Sequence, residues 1–362
     1  MTTPSPFRIL ALVVALSSGL YGMAQLPAPL RPLLLGDTIA PPRYDTAYIH
    51  SHRSAFSIGY VSSVQNAVIS LSDSLGRELD HSTNNPTQYG LGFSLGWLSG
   101  EFTFSIPGVS VADPQKGETD SRNYGLGITG RRLIGRAFFN SSKGFFPEQA
   151  AIADSTWQPG EPYPVRPDIQ SNTFLASANY AISHKRRFSF KAALYQNERQ
   201  KRSAGTFLAG GTVWINDIQS SEPFVPTAAS ANFVGNTAFD RIQRTVIGAT
   251  FGYTHTFVFF RKAFVTATLV PGLSAQQQRI ALSGGAADES DWQVGGVAEF
   301  KFGVGYNGDR FYTAITGANY FSSGDTDEGV NITTGFRFVR FTLGVRIKQP
   351  NSGFLRGLGL SN

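Results

Sequence analysis

The chain is dominated by segments in which apolar residues alternate with small or polar ones. Apolar side chains occupy every second position from Tyr89 to Trp97, and every position between them is glycine or serine. Similar alternation recurs at 102–106, 124–129, 251–259 and 341–348. Because successive side chains of a strand point to opposite faces, alternation over about ten residues predicts β-strands, and turn residues between such segments are typical of strands that cross a membrane.

The composition of the second face separates a transmembrane barrel from a β-sandwich. A sandwich also alternates, but its solvated face carries Lys and Glu. Here the minor face is mostly Gly, Ser and Thr, which suits a narrow barrel interior, and aromatic residues at strand ends suit a bilayer interface. The sequence therefore predicts an all-β protein built as an antiparallel transmembrane β-barrel, with the sandwich as the alternative.

The connections between the predicted strands alternate in length. Short turns at one rim and long loops at the other are typical of outer-membrane barrels. The proline-rich segment 143–169 is expected to be the largest external loop. The alternation fails at 199–216, which is predicted to be either an insertion into the barrel interior or a small hairpin folding at Gly210 and Gly211. We count about 12 strands. Short connections are predicted at 98–100, 130–132, 183–187, 260–262 and 307–309, and long ones at 73–88, 108–121, 143–169, 217–240, 284–290 and 322–329.

The N-terminus has the features of an export signal. Arg8 supplies a positive charge, residues 9–20 are apolar, and small residues at 22 and 24 precede the predicted cleavage site before Gln25. The apolar run is shorter than a bilayer span, so we predict a cleaved signal peptide at 1–24 rather than an anchor helix. The rest is divided into an N-terminal periplasmic segment (25–50), the barrel (51–348) and a C-terminal tail (349–362), and the predicted location is the bacterial outer membrane.

Composition excludes several other classes of protein. Charged residues make up 15% of the chain, against about 25% in a typical soluble domain. No apolar run of about 20 residues occurs beyond the N-terminus, which excludes a helical membrane bundle. The chain has no cysteine, so no disulfide framework is available to it. A net charge of +6 is weak and dispersed, and we expect no binding to nucleic acid.

Ionisable residues on the inward faces are the candidates for chemistry inside the barrel. Such charges either pair and plug the interior or set ion selectivity through their field, and the sequence leaves both alternatives open. The basic cluster beside the irregular segment 199–216 is a candidate constriction or plug. The candidate interior charges are Glu101, Lys191, Glu299, Lys301, Arg346 and Lys348, and the candidate constriction residues are Arg199, Lys201, Arg202, Ser203 and Gly205.

Two other patterns indicate chemistry only weakly. The glycines at 125–130 match the spacing of a dinucleotide-binding loop, but they lie within an alternating strand and no helical period follows them. His50, or His81 beside Ser82, could serve a lipid-modifying hydrolase, but nothing orients these residues as a triad. No cofactor or metal is predicted. The protein is expected not to be an enzyme, and the hydrolase is kept as an alternative.

Three motifs carry a family resemblance. They are Asn84-Asn85-Pro86 followed by Tyr89-Gly90-Leu91-Gly92 and the Trp97 strand, then Arg166-Pro167-Asp168-Ile169, and finally the block at 197–208. They resemble an uncharacterised family found in Bacteroidetes, the domain-of-unknown-function family numbered 4421, over roughly residues 45 to 362. In the third and most specific motif, Thr206 replaces a serine of the family pattern. The resemblance implies an exported, outer-membrane-type β protein and implies no activity, substrate or catalytic residue. Many such barrels end in an aromatic residue, whereas this chain ends in Asn362.

Two functional hypotheses follow. The first is a small-solute pore or transport barrel, in which basic residues on the inward faces favour anions. The second is a non-conducting structural or adhesion barrel that acts through its external loops. The sequence barely separates them, because the width of the interior depends on strand number and shear. In either case the expected partners are outer-membrane lipid, lipopolysaccharide and the barrel assembly machinery.

Overall fold

The computed structural model of the chain describes residues 44–52, 55–95, 98–129, 132–182, 186–231, 233–282, 292–326 and 329–348. The predicted signal peptide and C-terminal tail lie outside the described residues, as does Trp97. The strands are β1 (Ile49–Ser51), β2 (Ala55–Asp73), β3 (Glu78–Ser82), β4 (Gln88–Leu95), β5 (Leu98–Phe104), β6 (Asp120–Thr129), β7 (Leu133–Pro147), β8 (Arg166–Ala181), β9 (Glu198–Gln200), β10 (Ala204–Gln219), β11 (Phe239–Phe259), β12 (Ala263–Leu282), β13 (Trp292–Asn307), β14 (Phe311–Asp325) and β15 (Val330–Lys348).

The alternation in the sequence is the alternation of burial in the structure. Along β11, Phe251 and Phe257 are exposed on the outer face, whereas Thr254 and Thr256 are buried on the inner face. Thr254 is 2.6 Å from Thr268 of β12, oxygen to oxygen, so the inner hydroxyls bond to each other across neighbouring strands. At this level of β11 and β12 the outer face is apolar and the inner face carries small polar side chains, which is the arrangement of a barrel that spans a membrane.

Ten strands close an antiparallel ring, in the order β2, β3, β7, β8, β10, β11, β12, β13, β14, β15 and back to β2. This confirms the predicted all-β barrel, and the ring is close to the predicted count of about 12 strands. The count differs because three further strands lie outside the ring of ten. β4 pairs with β2 and β5 pairs with β4, while β6 pairs with β7. Among the described residues, β5 and β6 form no pairing with each other. We call this interruption of the wall the seam.

The two rims of the ring differ. Strand pairs join through short turns at 260–262 and 308–310 at the rim we call the short-turn end. At the opposite rim, the long-loop end, residues 148–165 and 220–238 connect their strands and contain the short helices Ala150–Ala153 and Thr227–Ser230. A further short helical turn, Pro114–Lys116, lies between β5 and β6. No helix in the described parts of the chain is long and apolar enough to cross a membrane.

The segment 199–216 is neither an insertion nor a hairpin, so both predicted alternatives are wrong. From residue 204 onward it forms β10, which is paired along its length with β11 and over most of it with β8, and Gly210 and Gly211 lie in mid-strand opposite Asn179 and Ala178. The insertion comes earlier. Residues 186–203, which we call the short-turn plug, contain the short helix Phe190–Ala193 and strand β9. β9 pairs with β1 in a separate two-stranded sheet.

Two of the predicted loops are shorter than expected. The segment 73–88 contains β3, which closes the ring by placing His81 opposite Pro147 and Ser82 opposite Phe146. Similarly, β7 continues to Pro147 and β8 begins at Arg166, which leaves 148–165 as the loop. Strand pairing therefore extends further towards the long-loop end than local composition suggests.

Candidate functional site: the barrel interior and its two plugs

The long-loop end of the interior is filled by an apolar cluster. Residues 220–238, which we call the long-loop plug, contribute Phe224, Val225 and Phe233, all buried. They pack with wall residues that include Ile69 and Ile242, from β2 and β11. Because these side chains come from the loop as well as from several strands, the loop lies within the rim and does not extend away from it.

A charged pair fastens this plug to the wall. Arg166 and Asp168, on one edge of β8, form an ion pair of 2.8 Å. The same guanidinium donates to the carbonyl oxygens of Pro223 at 2.9 Å and Glu222 at 3.1 Å, and Asp168 accepts from the backbone N–H of Ser221 at 3.2 Å. These two residues belong to the second motif of the family resemblance, so that motif holds the loop across the rim.

The middle of the interior is crossed by direct side-chain contacts. Asn216 of β10 donates to the Thr334 hydroxyl of β15 at 2.9 Å, although five steps separate these strands in either direction around the ring of ten. Arg244 of β11 donates to Ser322 of β14 at 2.9 Å and to the carbonyl oxygen of Ile332 in β15 at 2.8 Å. Hydrogen bonds this short between distant parts of the wall leave no open channel at this level.

Aromatic side chains fill the space around these polar contacts. The Phe138 ring of β7 lies 5.2 Å from the Phe336 ring of β15 and 6.0 Å from the Tyr320 ring of β14, centroid to centroid. Trp214, from β10, is buried in the same cluster. Rings at these separations are in contact, so the middle of the barrel is a packed core.

The short-turn plug closes the third level. Phe188, Phe190 and Leu194 pack against Leu208 and Val270 of the wall. The plug is also tied down by polar bonds, since the guanidinium of Arg346 donates to the backbone oxygens of Gly308, at 2.6 Å, and Gln196. It reaches the side-chain oxygen of Asn307 at 2.7 Å as well. One buried arginine of β15 therefore connects the plug to the adjacent turn.

The first part of the third family motif, residues 197–203, lies in this plug, and the rest begins β10. Gln200 donates to the carbonyl oxygen of Arg187 at 2.6 Å, within the plug, and to that of Tyr48 at 3.3 Å. Glu198 accepts a 2.5 Å hydrogen bond from the Ser189 hydroxyl, and its backbone oxygen accepts from Asn307 at 2.8 Å. The motif thus folds the plug on itself and attaches it to the segment before the barrel.

Two histidines lie beside the plug and outside the barrel strands. The rings of His50 and His52 are 4.8 Å apart in an edge-to-face arrangement. Burial lowers the pKa of His52 to about 3, and the positive charge of Arg346 contributes to the same shift. Burial, followed by the charge of Arg199, also lowers the pKa of His50. Both rings are therefore neutral in the plugged state at neutral pH.

Three of the six predicted interior charges are in ion pairs. Glu299 and Lys301, two residues apart on the inner face of β13, form a buried ion pair. Asn179 of β8 donates to Glu299 at 2.8 Å. Glu101 of β5 pairs with Arg340 of β15 at 3.0 Å. Of the two alternatives left open by the sequence, this geometry matches the pairing one.

The remaining predicted interior charges have other surroundings. Lys191 is buried in the short helix of the plug and not on a wall strand, because the segment predicted as a strand is the plug itself. Arg346 faces inward, as expected from its position in β15, and holds the plug. Lys348 ends β15 opposite Ala55, and its side chain lies outside the described part of the structure.

The predicted constriction residues form a collar at the short-turn end. Arg199 pairs with Asp309 at 2.7 Å, Lys201 donates to the carbonyl oxygen of Thr46 at 3.0 Å, and the guanidinium of Arg202 lies 5.7 Å from the Tyr48 ring centroid. Ser203 accepts from the backbone N–H of Val258 at 2.9 Å. Gly205 is part of β10, where a side chain would collide with the Tyr253 hydroxyl.

The histidine of the hydrolase hypothesis lies in the wall. His81 is buried in β3 with Nε2 2.8 Å from the carbonyl oxygen of Phe224, and its Nδ1 has no partner among the described residues. Adjacent strand residues point to opposite faces, so Ser82 points away from it. Ser82 donates instead to Glu148 at 2.5 Å and accepts from Arg337 at 3.0 Å. This geometry provides no Ser–His pair.

Three inward arginines were missed by the sequence reasoning: Arg136, Arg244 and Arg340. Each is two residues from an apolar residue on the same face, for example Arg136 between Ile134 and Phe138. Period-two counting along β7, β11 and β15 would have placed them inside the barrel.

Residues 43–346 match the model of a family described as Domain of unknown function (DUF4421). No curated protein matches the chain. Among solved structures, the chain is similar to the outer membrane protease OmpT from Escherichia coli, with a TM-score of 0.35, 10% identity and coverage of 82% of this chain and 98% of that one. It is similar to the translocator domain of the autotransporter NalP from Neisseria meningitidis, with a TM-score of 0.31, 10% identity and coverage of 91% and 98%. For the P. putida toluene transporter TodX, the TM-score is 0.19, the identity 8% and the coverage 82% and 91%. Likenesses this distant carry no functional argument.

Proposed function

Because the chain belongs to the family of the domain of unknown function DUF4421, whose description assigns no activity, we propose a function from the geometry: an outer-membrane β-barrel that forms no axial pore. The observation that carries this proposal is the hydrogen bond of 2.9 Å between Asn216 and Thr334 on opposite strands. Plugs at both ends support it, since residues 220–238 and 186–203 each place buried apolar side chains inside the ring.

Such a barrel acts through its surfaces. The long-loop end presents residues 148–165, where Glu148 pairs with Arg337, and residues 220–238, where Phe224 and Phe233 are buried, so both loops form a fixed outer surface. We propose that this surface meets outer-membrane lipopolysaccharide or a partner outside the cell, and that the chain reaches the bacterial outer membrane through the barrel assembly machinery. Fractionation of cells expressing the tagged chain tests the location, and release of the protein by high salt would contradict it.

The pore remains the second candidate, on one observation. The short-turn plug is fastened in part by polar bonds of Arg346 and Arg199, which can be replaced by bonds to water when the plug leaves. A pore would also require the apolar long-loop plug to move, and exposing those side chains to water is unfavourable. The geometry therefore favours the non-conducting barrel over the pore.

Ion conductance in a planar bilayer tests the proposal. The refolded chain, shown to be folded by its different gel migration before and after boiling, is expected to be silent. A variant in which a short Gly-Ser linker replaces 186–203, combined with removal of 222–236, is also expected to be silent, because the Asn216–Thr334 contact and the aromatic cluster still close the middle of the barrel. A porin reconstituted in the same bilayer provides the positive control. Stable ohmic steps from the unmodified chain would contradict a closed interior.

A further inference from the structure

The seam leaves two strand edges without a partner in the wall of the barrel. Towards the long-loop end, β3 pairs with both β2 and β7 and closes the wall. Towards the short-turn end, the described residues of β5 pair only with β4, and those of β6 pair only with β7. The outer faces of these strands carry Phe102, Phe104 and Tyr124, which are among the most exposed aromatic residues of the described chain. Backbone polar groups that face hydrocarbon must find partners, so the seam must admit water or a polar ligand.

A small cavity lies inside the barrel and is lined by residues of β7, β13, β14, β15 and the short-turn plug. Its volume is about 10 Å³, room for about one water molecule. Arg136, Lys301 and Arg340 line it together with Tyr195 of the short-turn plug. Gly127, on the inner face of β6, lies beside Arg136, whose Nε would be 3.9 Å from a Cβ at that position. The glycine therefore places no side chain over Arg136 on the β6 side.

The charges around this cavity do not balance. Arg340 is paired with Glu101, and Lys301 is paired with Glu299. Arg136 forms no ion pair with any described residue. Its guanidinium lies between the rings of Phe138 and Phe338, 4.9 Å and 4.8 Å from their centroids, and its buried Nε has no hydrogen-bond partner in the described structure. A guanidinium that has no ion-pair partner and a free Nε favours a carboxylate, which accepts two parallel hydrogen bonds from the arginine fork.

We propose that the seam is a lateral binding site for a long-chain carboxylate, whose headgroup pairs with Arg136 while its acyl chain leaves between β5 and β6 into the membrane. The positive charge of Arg136 requires an anionic headgroup, and the planar fork of the guanidinium matches the two oxygens of a carboxylate. The exposed aromatic residues Phe102, Phe104 and Tyr124 flank the path of the chain. This site lies in the wall, so it does not depend on whether the barrel conducts.

Binding of a spin-labelled stearic acid to the full chain in liposomes tests the proposal. We expect a motionally restricted fraction in the spectrum that unlabelled hexadecanoate displaces and that hexadecyltrimethylammonium, with the same chain length and opposite charge, does not. Arg136→Gln should weaken binding about tenfold or more, the effect of losing a charge-assisted pair. The matched control is Arg122→Gln, which removes an arginine from the exposed outer face of β6 and should leave binding unchanged.

Two further variants keep the test decisive. Arg136→Lys retains the charge without the fork and should bind with intermediate affinity, and Gly127→Val should weaken binding by covering Arg136, without touching its charge. Folding of each variant is checked by its shift on gels before and after boiling. Binding that is equal in Arg136→Gln and Arg122→Gln, or equal displacement by hexadecyltrimethylammonium, would overturn the proposal. Equal displacement by hexadecyl phosphate would overturn the assignment to carboxylates.

Discussion

The two plugs close the same barrel with different chemistry. At the long-loop end, Phe224 and Val225 are fully buried among aliphatic wall residues. At the short-turn end, an apolar patch around Phe190 is accompanied by a network of hydrogen bonds centred on Arg346. Apolar burial is lost only when the side chain reaches water, whereas polar bonds can be exchanged for bonds to water. The long-loop plug should therefore be the more permanent closure, and the short-turn plug the more easily released.

Truncating the long-loop plug should give the largest effect. Phe224→Ala removes a fully buried ring from a packed cluster and is expected to lower the free energy of unfolding by about 3–5 kcal/mol. Chemical denaturation followed by far-UV circular dichroism measures the change. The control is Phe260→Ala, at a turn residue that is 95% exposed, and this substitution should change stability by well under 1 kcal/mol, or about the noise of the measurement. Similar losses in both variants would mean that the loop is not packed in the rim.

Removing the central arginine of the other plug should rank next. Arg346→Met leaves the backbone oxygens of Gln196 and Gly308 without their charged donor, at an expected cost of about 3 kcal/mol. Trypsin added from the short-turn side should then cleave within 186–203 much faster than in the unmodified protein. Arg261→Met, at an exposed turn residue of the same rim outside 186–203, should leave the cleavage rate nearly unchanged. Equal rates in the two variants would show that Arg346 does not hold the plug.

Gly210 and Gly211 distinguish a continuous wall strand from a hairpin at this position. A Cβ at Gly210 would collide with the carbonyl oxygen of Ala178 on the neighbouring strand, whereas at Gly211 the nearest atom is 3.2 Å away. Gly210→Ala should therefore destabilise the barrel by about 1–3 kcal/mol, and Gly211→Ala should cost less. Thermal unfolding of the two variants gives the comparison. Equal tolerance at both positions would favour a flexible hairpin there instead of a continuous strand.

The sequence predicts those features of the fold that depend on one strand alone, and it misses those that depend on contacts between distant segments. Alternation predicted the strands near 89–95, 251–259 and 341–348, since one apolar and one small face is a property of each strand alone. It failed at 188–194, where Phe188, Phe190 and Leu194 also alternate, because their burial against Leu208 and Val270 depends on contacts distant in sequence. Period-two patterns do not distinguish a strand in the wall from an irregular segment packed inside it.

The candidate site divides in the same way. Glu299 and Lys301 are two residues apart on one strand and therefore face the same side of the sheet, so their pairing could be predicted from the sequence. The pairing of Glu101 with Arg340 joins strands at opposite ends of the chain and could not. Gly210 and Gly211 were interpreted as a turn, yet they are needed where neighbouring strands approach closely. Glycine indicates a lack of room as often as it indicates a turn.

Acid should have the smallest of the expected effects, and it should act on the short-turn plug. His52 has a pKa of about 3 in the plugged state, against 6.5 ordinarily. Between these pH values, His52 binds a proton when the plug is released and does not when the plug is in place. The free energy that holds the plug therefore decreases as the pH falls, by at most about 1.4 kcal/mol per pH unit. His50 acts in the same direction. The charged groups near His52 are Arg346, Arg199 and Asp309.

The tryptic cleavage rate within 186–203, measured against a pH-matched peptide substrate, checks this effect. It should rise as the pH is lowered from about 6.5 to about 5, and the rise should be smaller in His52→Gln. An unchanged pH dependence in His52→Gln would assign the effect to other groups.

The closed interior can be tested most directly with a single cysteine, because the chain contains none of its own. Val246 is fully buried in the middle of the barrel, and Ser155 is exposed in the loop at 148–165. With a membrane-impermeant maleimide, the folded Val246→Cys variant is expected to remain unlabelled until it is denatured, while Ser155→Cys is labelled at once. Rapid labelling of Val246→Cys in the folded protein would contradict a packed interior, and with it the proposal that this barrel has no axial pore.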